Sequence, residues 1–134
     1  MNNEFSKEDL IKHRLNKAKE NFAEAKGAAA MDFPNSSINR LYYSCFYAVT
    51  ALLFKDDINT KTHAGVRHLL WLHYIENEKI TRELGKFYST LFESRQQSDY
   101  EDFFTVEKET LINLIEGTEI FIAAIEALIY PLSK

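Results

Sequence analysis

Cysteine, glycine and proline are scarce in this chain of 134 residues, which holds one Cys, four Gly and two Pro. A single Cys cannot form a disulfide within the chain, and it rules out a zinc site built from several cysteines. So few Gly and Pro residues argue against collagen-like, loop-rich and many-turned all-β proteins. A chain of this length can form a sufficient apolar core without a disulfide or metal, so we expect one globular domain over residues 1–134.

Strong charge of one sign and long apolar runs are also missing. The formal net charge of −4 gives no overall attraction to nucleic acid. The most apolar stretch, residues 120–132, is interrupted by Glu126 and is too short to span a bilayer. Residues 1–9 are polar and lack the apolar core of a signal peptide. We therefore expect a cytoplasmic protein without membrane association.

Apolar side chains recur at helical spacing through most of the chain, and no segment of strand length alternates between polar and apolar residues. The pattern predicts an all-α, up-and-down bundle of about five helices. The expected ranges are roughly 7–31, 36–54, 63–76, 77 to between 94 and 97, and 105–130.

Residues that favour helix N-caps precede these segments. Ser6 can cap the first helix, Asn35 or Ser36 the second, Asn77 the fourth and Thr105 the fifth. The fifth predicted helix is apolar on more than one face, which favours contact with more than one neighbour, including another subunit.

The second predicted helix carries two distinct faces. A wide apolar stripe includes Cys45, which we interpret as a small core residue. Arg40, Tyr43, Ser44 and Tyr47 are spaced by three and four residues, and this spacing predicts a separate polar and aromatic face.

Three histidines raise the question of a metal site. His63, His68 and His73 are five residues apart, so each is rotated by about 140° from the previous one around a helix. Zinc ligands on one helix are typically three or four residues apart and share a face. We therefore expect no metal, and without a Gly-rich phosphate loop we expect no cofactor.

Two clusters combine charge with a predicted helix end. Residues 61–67 place Lys61, His63, an Arg and a Gly around a helix start, where backbone N–H groups favour anions. The same residues are also explained by Thr62 as an N-cap and His63 in the first turn. Both interpretations remain open.

The second cluster, residues 95–100, lies where the fourth helix is expected to give way to a loop over 96–102. Arg95 can bind an anion there, or can simply complement the helix dipole. Asp99 can cap the helix or pair with Arg95.

Taken together, three stretches resemble the HEPN family, the higher-eukaryote and prokaryote nucleotide-binding domain, in its small stand-alone prokaryotic members. The stretches are residues 39–48, 61–66 and 95–100, in that order, and the likeness extends over roughly residues 6–130. The resemblance implies a short helical bundle. It also implies a homodimer in which polar motif residues meet in a cleft between subunits.

The resemblance further implies contact with RNA or nucleotides. Many family members cleave RNA without a metal, and such members often accompany a minimal nucleotidyltransferase that acts as antitoxin. The nuclease signature is an Arg, four to six residues, and a His. Arg95 matches the Arg, but the possible His positions hold Tyr100, Glu101 and Asp102.

This departure matters chemically. A histidine, with a pKa near 6.5, suits proton transfer at neutral pH, whereas a tyrosine titrates near 10. A nuclease built on this sequence would need a substitute base, and His63 is the candidate within a family motif.

The sequence thus predicts a polar cleft around Arg95, Asp99 and Tyr100. Its expected neighbours are His63, Lys61, Arg40 and Tyr43.

The leading hypothesis is a nucleotide- or RNA-interacting partner of a small nucleotidyltransferase in a toxin–antitoxin-like pair. Arg95 would bind phosphate and Tyr100 would stack on a base or donate a hydrogen bond. The alternatives are a metal-independent endoribonuclease and a structural adaptor without catalysis.

Overall fold

The computed structural model describes residues 6–131, and within that range it contains five α-helices and no strand. This confirms the predicted all-α fold. None of the described helices is long and apolar enough to cross a membrane. The helices are α1 Lys7–Ala30, α2 Pro34–Lys55, α3 His63–Leu70, α4 Arg82–Tyr100 and α5 Lys108–Ile129, and a π-helical turn, Trp71–Ile75, directly follows α3.

Helix α1 begins at the predicted cap. The Ser6 hydroxyl accepts a hydrogen bond from the Asp9 amide at 3.1 Å, and the Asp9 carboxylate accepts one from the Ser6 amide at 3.3 Å. This reciprocal pair is a capping box. At the other end, Asp32 adopts a left-handed conformation with φ of 64°, and the Phe33 amide donates to the Ala28 carbonyl at 2.8 Å. The short turn folds α2 back along α1.

Small residues bring α1 and α2 close together. Ala18 and Ala25 are fully buried, and their carbonyl oxygens accept hydrogen bonds from Ser44 at 2.6 Å and from Ser37 at 2.8 Å. The prediction that Ser44 belongs to a polar and aromatic surface is therefore wrong. Its hydroxyl lies in the helix interface because a backbone carbonyl of α1 satisfies it there.

Helix α2 lies at the centre of the protein and packs against each of the other α-helices. Its apolar stripe forms much of the core, and Cys45 is fully buried in it, as predicted. Burial raises the pKa of the Cys45 thiol. The thiol is therefore protonated at neutral pH and serves as a packing group.

Helix α4 begins later than predicted, because Thr81 and not Asn77 provides its cap. The Thr81 hydroxyl accepts from the Leu84 amide at 3.2 Å. Before it, Glu78 has a φ of 64°, and the Ile80 amide donates to the Tyr74 carbonyl at 2.8 Å. This turn buries Ile80, which is 4% exposed, and so delays the helix start.

Helix α4 also ends later than predicted. Residues 96–100 are helical, so most of the expected loop over 96–102 is absent. The segment contains no Gly or Pro, and Asp99 pairs with Arg95 one turn earlier at 3.2 Å. A pair at this spacing supports the helix and outweighs the polar composition of the segment.

The predicted caps of α2 and α5 are also wrong, whereas the predicted cap of α3 is confirmed. Asn35 and Ser36 lie inside the first turn of α2, because Pro34 is already helical. Helix α5 begins at Lys108 after Glu107, two residues beyond the predicted cap Thr105. The Thr62 hydroxyl does cap α3 and accepts from the Gly65 amide at 2.9 Å.

Candidate functional site

Arg95 occupies a partly buried position at the junction of α4 and α2. Its side chain is 14% exposed. The guanidinium carbon lies 4.8 Å from the centroid of the Tyr42 ring and 5.7 Å from that of Tyr43. One nitrogen, Nη1, donates to the Asp99 carboxylate at 3.2 Å, while the buried Nε has no acceptor among the described residues. Two aromatic rings thus fix the position of a guanidinium whose hydrogen-bonding capacity is incompletely used.

A second guanidinium approaches the same aromatic ring. The Arg40 guanidinium carbon lies 5.4 Å from the centroid of Tyr43. Arg40 is more fully engaged than Arg95, because its nitrogens donate to Asn39 at 2.6 Å and to Asn21 at 2.8 Å, and it lies 3.6 Å from Glu24. The Tyr43 ring therefore lies within cation–π range of two arginines contributed by α2 and α4.

His63 reaches this cluster through Tyr42. Its Nδ1 atom lies 2.8 Å from the Tyr42 hydroxyl oxygen, and its ring centroid lies 4.6 Å from that of Phe46. Burial and, to a smaller extent, the positive charge of Arg95 lower the pKa of His63. Burial is the largest cause that raises the pKa of Tyr42 to about 12. At neutral pH the pair is therefore a neutral imidazole hydrogen-bonded to a neutral phenol.

A polar groove of about 490 Å³ runs along this surface between α1, α2 and α4. Its cationic lining residues are Lys17, Arg40 and Arg95, and its acidic ones are Glu20, Glu24 and Asp99. The charges of the groove are therefore balanced. Local attraction for an anion depends on releasing an arginine from its carboxylate, which costs little for exposed ion pairs and for pairs one helical turn apart.

The structure brings several predicted site residues together. Arg95, Asp99, Arg40 and Tyr43 all line the groove. His63 does not line it but contacts Tyr42, on which Arg95 also packs.

Two other predicted residues lie apart from this cluster. Lys61 is exposed in the segment before α3 and is not among the groove residues. Tyr100 is 80% exposed and follows Arg95 by five residues, so it is rotated by about 140° around α4. The helical conformation of residues 96–100 thus turns Tyr100 away from Arg95.

Tyr42 and Asn21 belong to this site and were not among the predicted residues. Tyr42 is fully buried, and its spacing assigns it to the apolar stripe of α2. The sequence feature that could have indicated its role is the hydroxyl, because a buried tyrosine hydroxyl usually needs a hydrogen-bonding partner. Asn21 is a buried amide on α1 that donates to the Lys17 carbonyl at 2.8 Å and accepts from Arg40. Nothing in its local sequence marks it.

The three histidines do not converge on one another in the described part of the chain. Within residues 6–131, no group of three His, Cys, Asp or Glu side chains is arranged to hold a metal ion. His63 contacts Tyr42, whereas His73 lies in the π-helical turn beside Tyr74.

Comparison with known proteins establishes the family. The model of the HEPN domain matches residues 11–128, so the chain belongs to the HEPN family. It is 34% identical over 128 residues to a UPF0332 protein of Thermotoga maritima, covering 96% of this chain and 97% of that protein. It is also 29% identical over 108 residues to a Methanocaldococcus jannaschii protein named "Putative toxin MJ0142", covering 81% and 74% of the two chains.

Proposed function

We propose that this protein binds RNA or a nucleotide through Arg95 and acts in a toxin–antitoxin-like pair with a small nucleotidyltransferase. The observation that carries the proposal is the approach of two guanidinium groups, Arg40 and Arg95, to the single Tyr43 ring inside a groove. Two neighbouring cations favour an anion between them, and a guanidinium matches the geometry of a phosphate group. The toxin-like role is supported by the name of the Methanocaldococcus jannaschii relative, "Putative toxin MJ0142".

Arg95 is the better phosphate ligand of the two arginines. Asn39 and Asn21 already occupy the nitrogens of Arg40, whereas Asp99 is the acceptor for Arg95 within the described residues. An ion pair one helical turn apart contributes about 0.3–0.5 kcal/mol. Asp99 accepts from a single nitrogen of Arg95, whereas a phosphate offers several acceptor oxygens and can form a bidentate contact with a guanidinium.

The test is binding of a short fluorescent RNA, measured by anisotropy in EDTA. Loss of a charge-assisted contact predicts that Arg95→Ala weakens binding by about tenfold or more. Arg82→Ala is the control, because Arg82 is an exposed arginine at the opposite end of the same helix. Equal affinity of the wild type and Arg95→Ala would contradict the placement of the phosphate site.

The partner requires its own experiment. If a nucleotidyltransferase is encoded beside this protein, co-expression of the two should yield a stable complex that survives gel filtration. Separate elution of the two proteins would contradict the paired role and leave RNA binding by Arg95 intact.

We also propose a homodimer. Helix α5 exposes Ile112 at 47% and Ile120 at 62%, in addition to its buried face, and a helix that is apolar on more than one face favours contact with a further neighbour. Sedimentation analysis should give a mass of two chains for the wild type and a mass of one chain for Ile120→Glu. A monomeric wild type would contradict the dimer.

A metal-independent ribonuclease is the second candidate function, because Arg95 and His63 both contact Tyr42. The tautomer of His63 decides its chemistry. If Nδ1–H donates to the Tyr42 oxygen, Nε2 is free to accept a proton from a 2′-hydroxyl. If the phenol donates to Nδ1, the Nε2–H group can only donate.

Cleavage of end-labelled RNA in EDTA tests this candidate. It predicts cleavage by the wild type that is lost in Arg95→Ala, because the arginine would stabilise the charge on the reacting phosphate. His63→Ala should slow cleavage by about 10²–10⁴-fold. Cleavage that requires added magnesium would argue against it.

A further inference from the structure

A second pocket lies beside the groove. It has a volume of about 220 Å³ and lies between α1, α2 and the segment that leads to α3. Phe46 and Tyr47 of α2 contribute aromatic walls, and Asn59 and Thr60 contribute polar edges. Tyr47 also lines the polar groove, so a single side chain borders both cavities.

The pocket combines flat apolar walls with hydrogen-bonding groups at its edge. Arg14 of α1 is held in place there, because its Nη1 donates to the Thr50 carbonyl at 3.3 Å and its guanidinium lies 4.9 Å from the Phe54 ring centroid. Asn59 is exposed and offers an amide donor and acceptor. A nucleobase has the matching chemistry, since its faces stack on aromatic rings and its edge forms hydrogen bonds.

A continuous series of contacts connects Arg95 with this pocket. The Arg95 guanidinium lies 5.7 Å from the Tyr43 centroid, and the Tyr43 centroid lies 6.3 Å from that of Tyr47. Tyr43 and Tyr47 are one helical turn apart on α2, so they form a short aromatic surface between the two sites. A strand whose phosphate rests on Arg95 can follow this surface to the pocket.

We propose that this pocket binds a nucleobase of single-stranded RNA whose phosphate contacts Arg95. The inference rests on the proposed function and names its substrate class, unpaired RNA. A base in a duplex is stacked and its pairing edge is occupied, so it cannot place its faces against the aromatic walls of this pocket without leaving the helix.

Gly65 helps to set the shape of this pocket. A Cβ atom at Gly65 would collide with the side chains of Thr60 and Thr62. The absence of a side chain allows the segment that carries Asn59 and Thr60 to pack on the first turn of α3. Gly65, which lies in the family-resembling stretch of residues 61–66, thereby positions a wall of the pocket.

Anisotropy measurements in EDTA with three RNA probes test the proposal. The probes are a short labelled single strand, the same strand annealed to its complement, and the same strand with abasic positions. The wild type should bind the intact single strand most tightly. Tyr47→Ala should weaken that binding by about fivefold or more through lost stacking. Asn59→Ala should weaken it by about two- to tenfold through lost hydrogen bonds.

The abasic probe separates base recognition from a general loss of fold. Asn59→Ala should not change affinity for that probe, because its phosphates still reach Arg95 and Asn59 lies outside the groove. Asn113→Ala is the matched control, since Asn113 is an exposed asparagine on α5. Asn59→Ala keeps the proposal testable if Tyr47→Ala does not fold, because Asn59 is exposed.

The outcomes distinguish this inference from the function on which it rests. If Arg95→Ala abolishes binding but Tyr47→Ala and Asn59→Ala bind like the wild type, the pocket proposal is overturned and the phosphate site stands. Equal affinity of the wild type for single-stranded and duplex RNA also overturns it. If the wild type binds no RNA, both proposals fail.

Discussion

Arg95→Ala should weaken RNA binding by about tenfold or more while lowering the free energy of unfolding only modestly, and the surroundings of Arg95 explain why. The substitution removes stacking on Tyr42 and Tyr43, at about 0.5–1 kcal/mol for each ring. It also removes the pair with Asp99, worth about 0.3–0.5 kcal/mol.

An opposing contribution offsets these losses. The buried Nε of Arg95 has no acceptor in the described part of the chain, and an unsatisfied buried donor costs about 1–3 kcal/mol. The substitution removes that cost. The polar gains and losses are similar in size, so the lost packing of the Arg95 methylene groups remains, and we expect the free energy of unfolding to fall by about 1–2 kcal/mol.

Urea unfolding followed by circular dichroism measures this change. Leu91→Ala provides the comparison, because Leu91 is fully buried on the same helix and its truncation should cost about 2–5 kcal/mol. If Arg95→Ala destabilises the protein as much as Leu91→Ala, Arg95 is a structural residue. That result would refute the reasoning above and favour the adaptor hypothesis.

Three further predictions concern local structure near the site. Glu78→Gly should raise the free energy of unfolding by about 0.5–1 kcal/mol, because Glu78 has a φ of 64° that glycine adopts without steric strain. Glu76→Gly should lower it, because Glu76 has right-handed dihedral angles that favour glycine less. Urea midpoints compare the two, and a loss of stability in Glu78→Gly would contradict the argument. Thr62→Ala should cost about 1 kcal/mol, because it removes the hydroxyl that accepts from the Gly65 amide, and an unchanged thermal midpoint would show that the cap is dispensable. The pKa of His63 is lowered in the folded state, so its contribution to stability should be complete above pH 6.5 and should be lost as the pH falls from 6.5 through the folded-state pKa. The free energy of unfolding, measured above and below pH 6.5, should fall on the acid side by more in the wild type than in His63→Gln. Identical pH profiles of the two proteins would contradict this expectation.

The sequence predicts the helices well where apolar spacing controls them. The first and third helix starts follow from caps at Ser6 and Thr62, which the structure confirms. The predicted start and end of the fourth helix are both wrong, because long-range packing determines its start and side-chain pairing its end. Burial of Ile80 delays its start, and the pair between Arg95 and Asp99 extends its end. The burial of Ile80 is not visible in local composition, whereas the four-residue spacing of Arg95 and Asp99 does allow them to pair.

The candidate site also contains residues that the sequence indicated and residues that it did not. Arg95, Asp99, Arg40 and Tyr43 line one groove, and their role there stays a prediction. Tyr42 was missed because helical periodicity separates apolar from polar faces. A buried tyrosine belongs to both, since its ring lies in the core and its hydroxyl reaches His63.

The close pairing of α1 and α2 has a consequence for the order of folding. The two helices are joined by only three residues, and the Ser37 and Ser44 hydroxyls donate to carbonyl groups 12 and 26 residues earlier in the chain. Local contacts form faster than distant ones because less chain entropy is lost in closing them. We therefore expect this hairpin to form first and to assemble the α1 and α2 walls of the groove. Arg95, which is more than fifty residues away from Tyr43, would complete the site only when α4 docks.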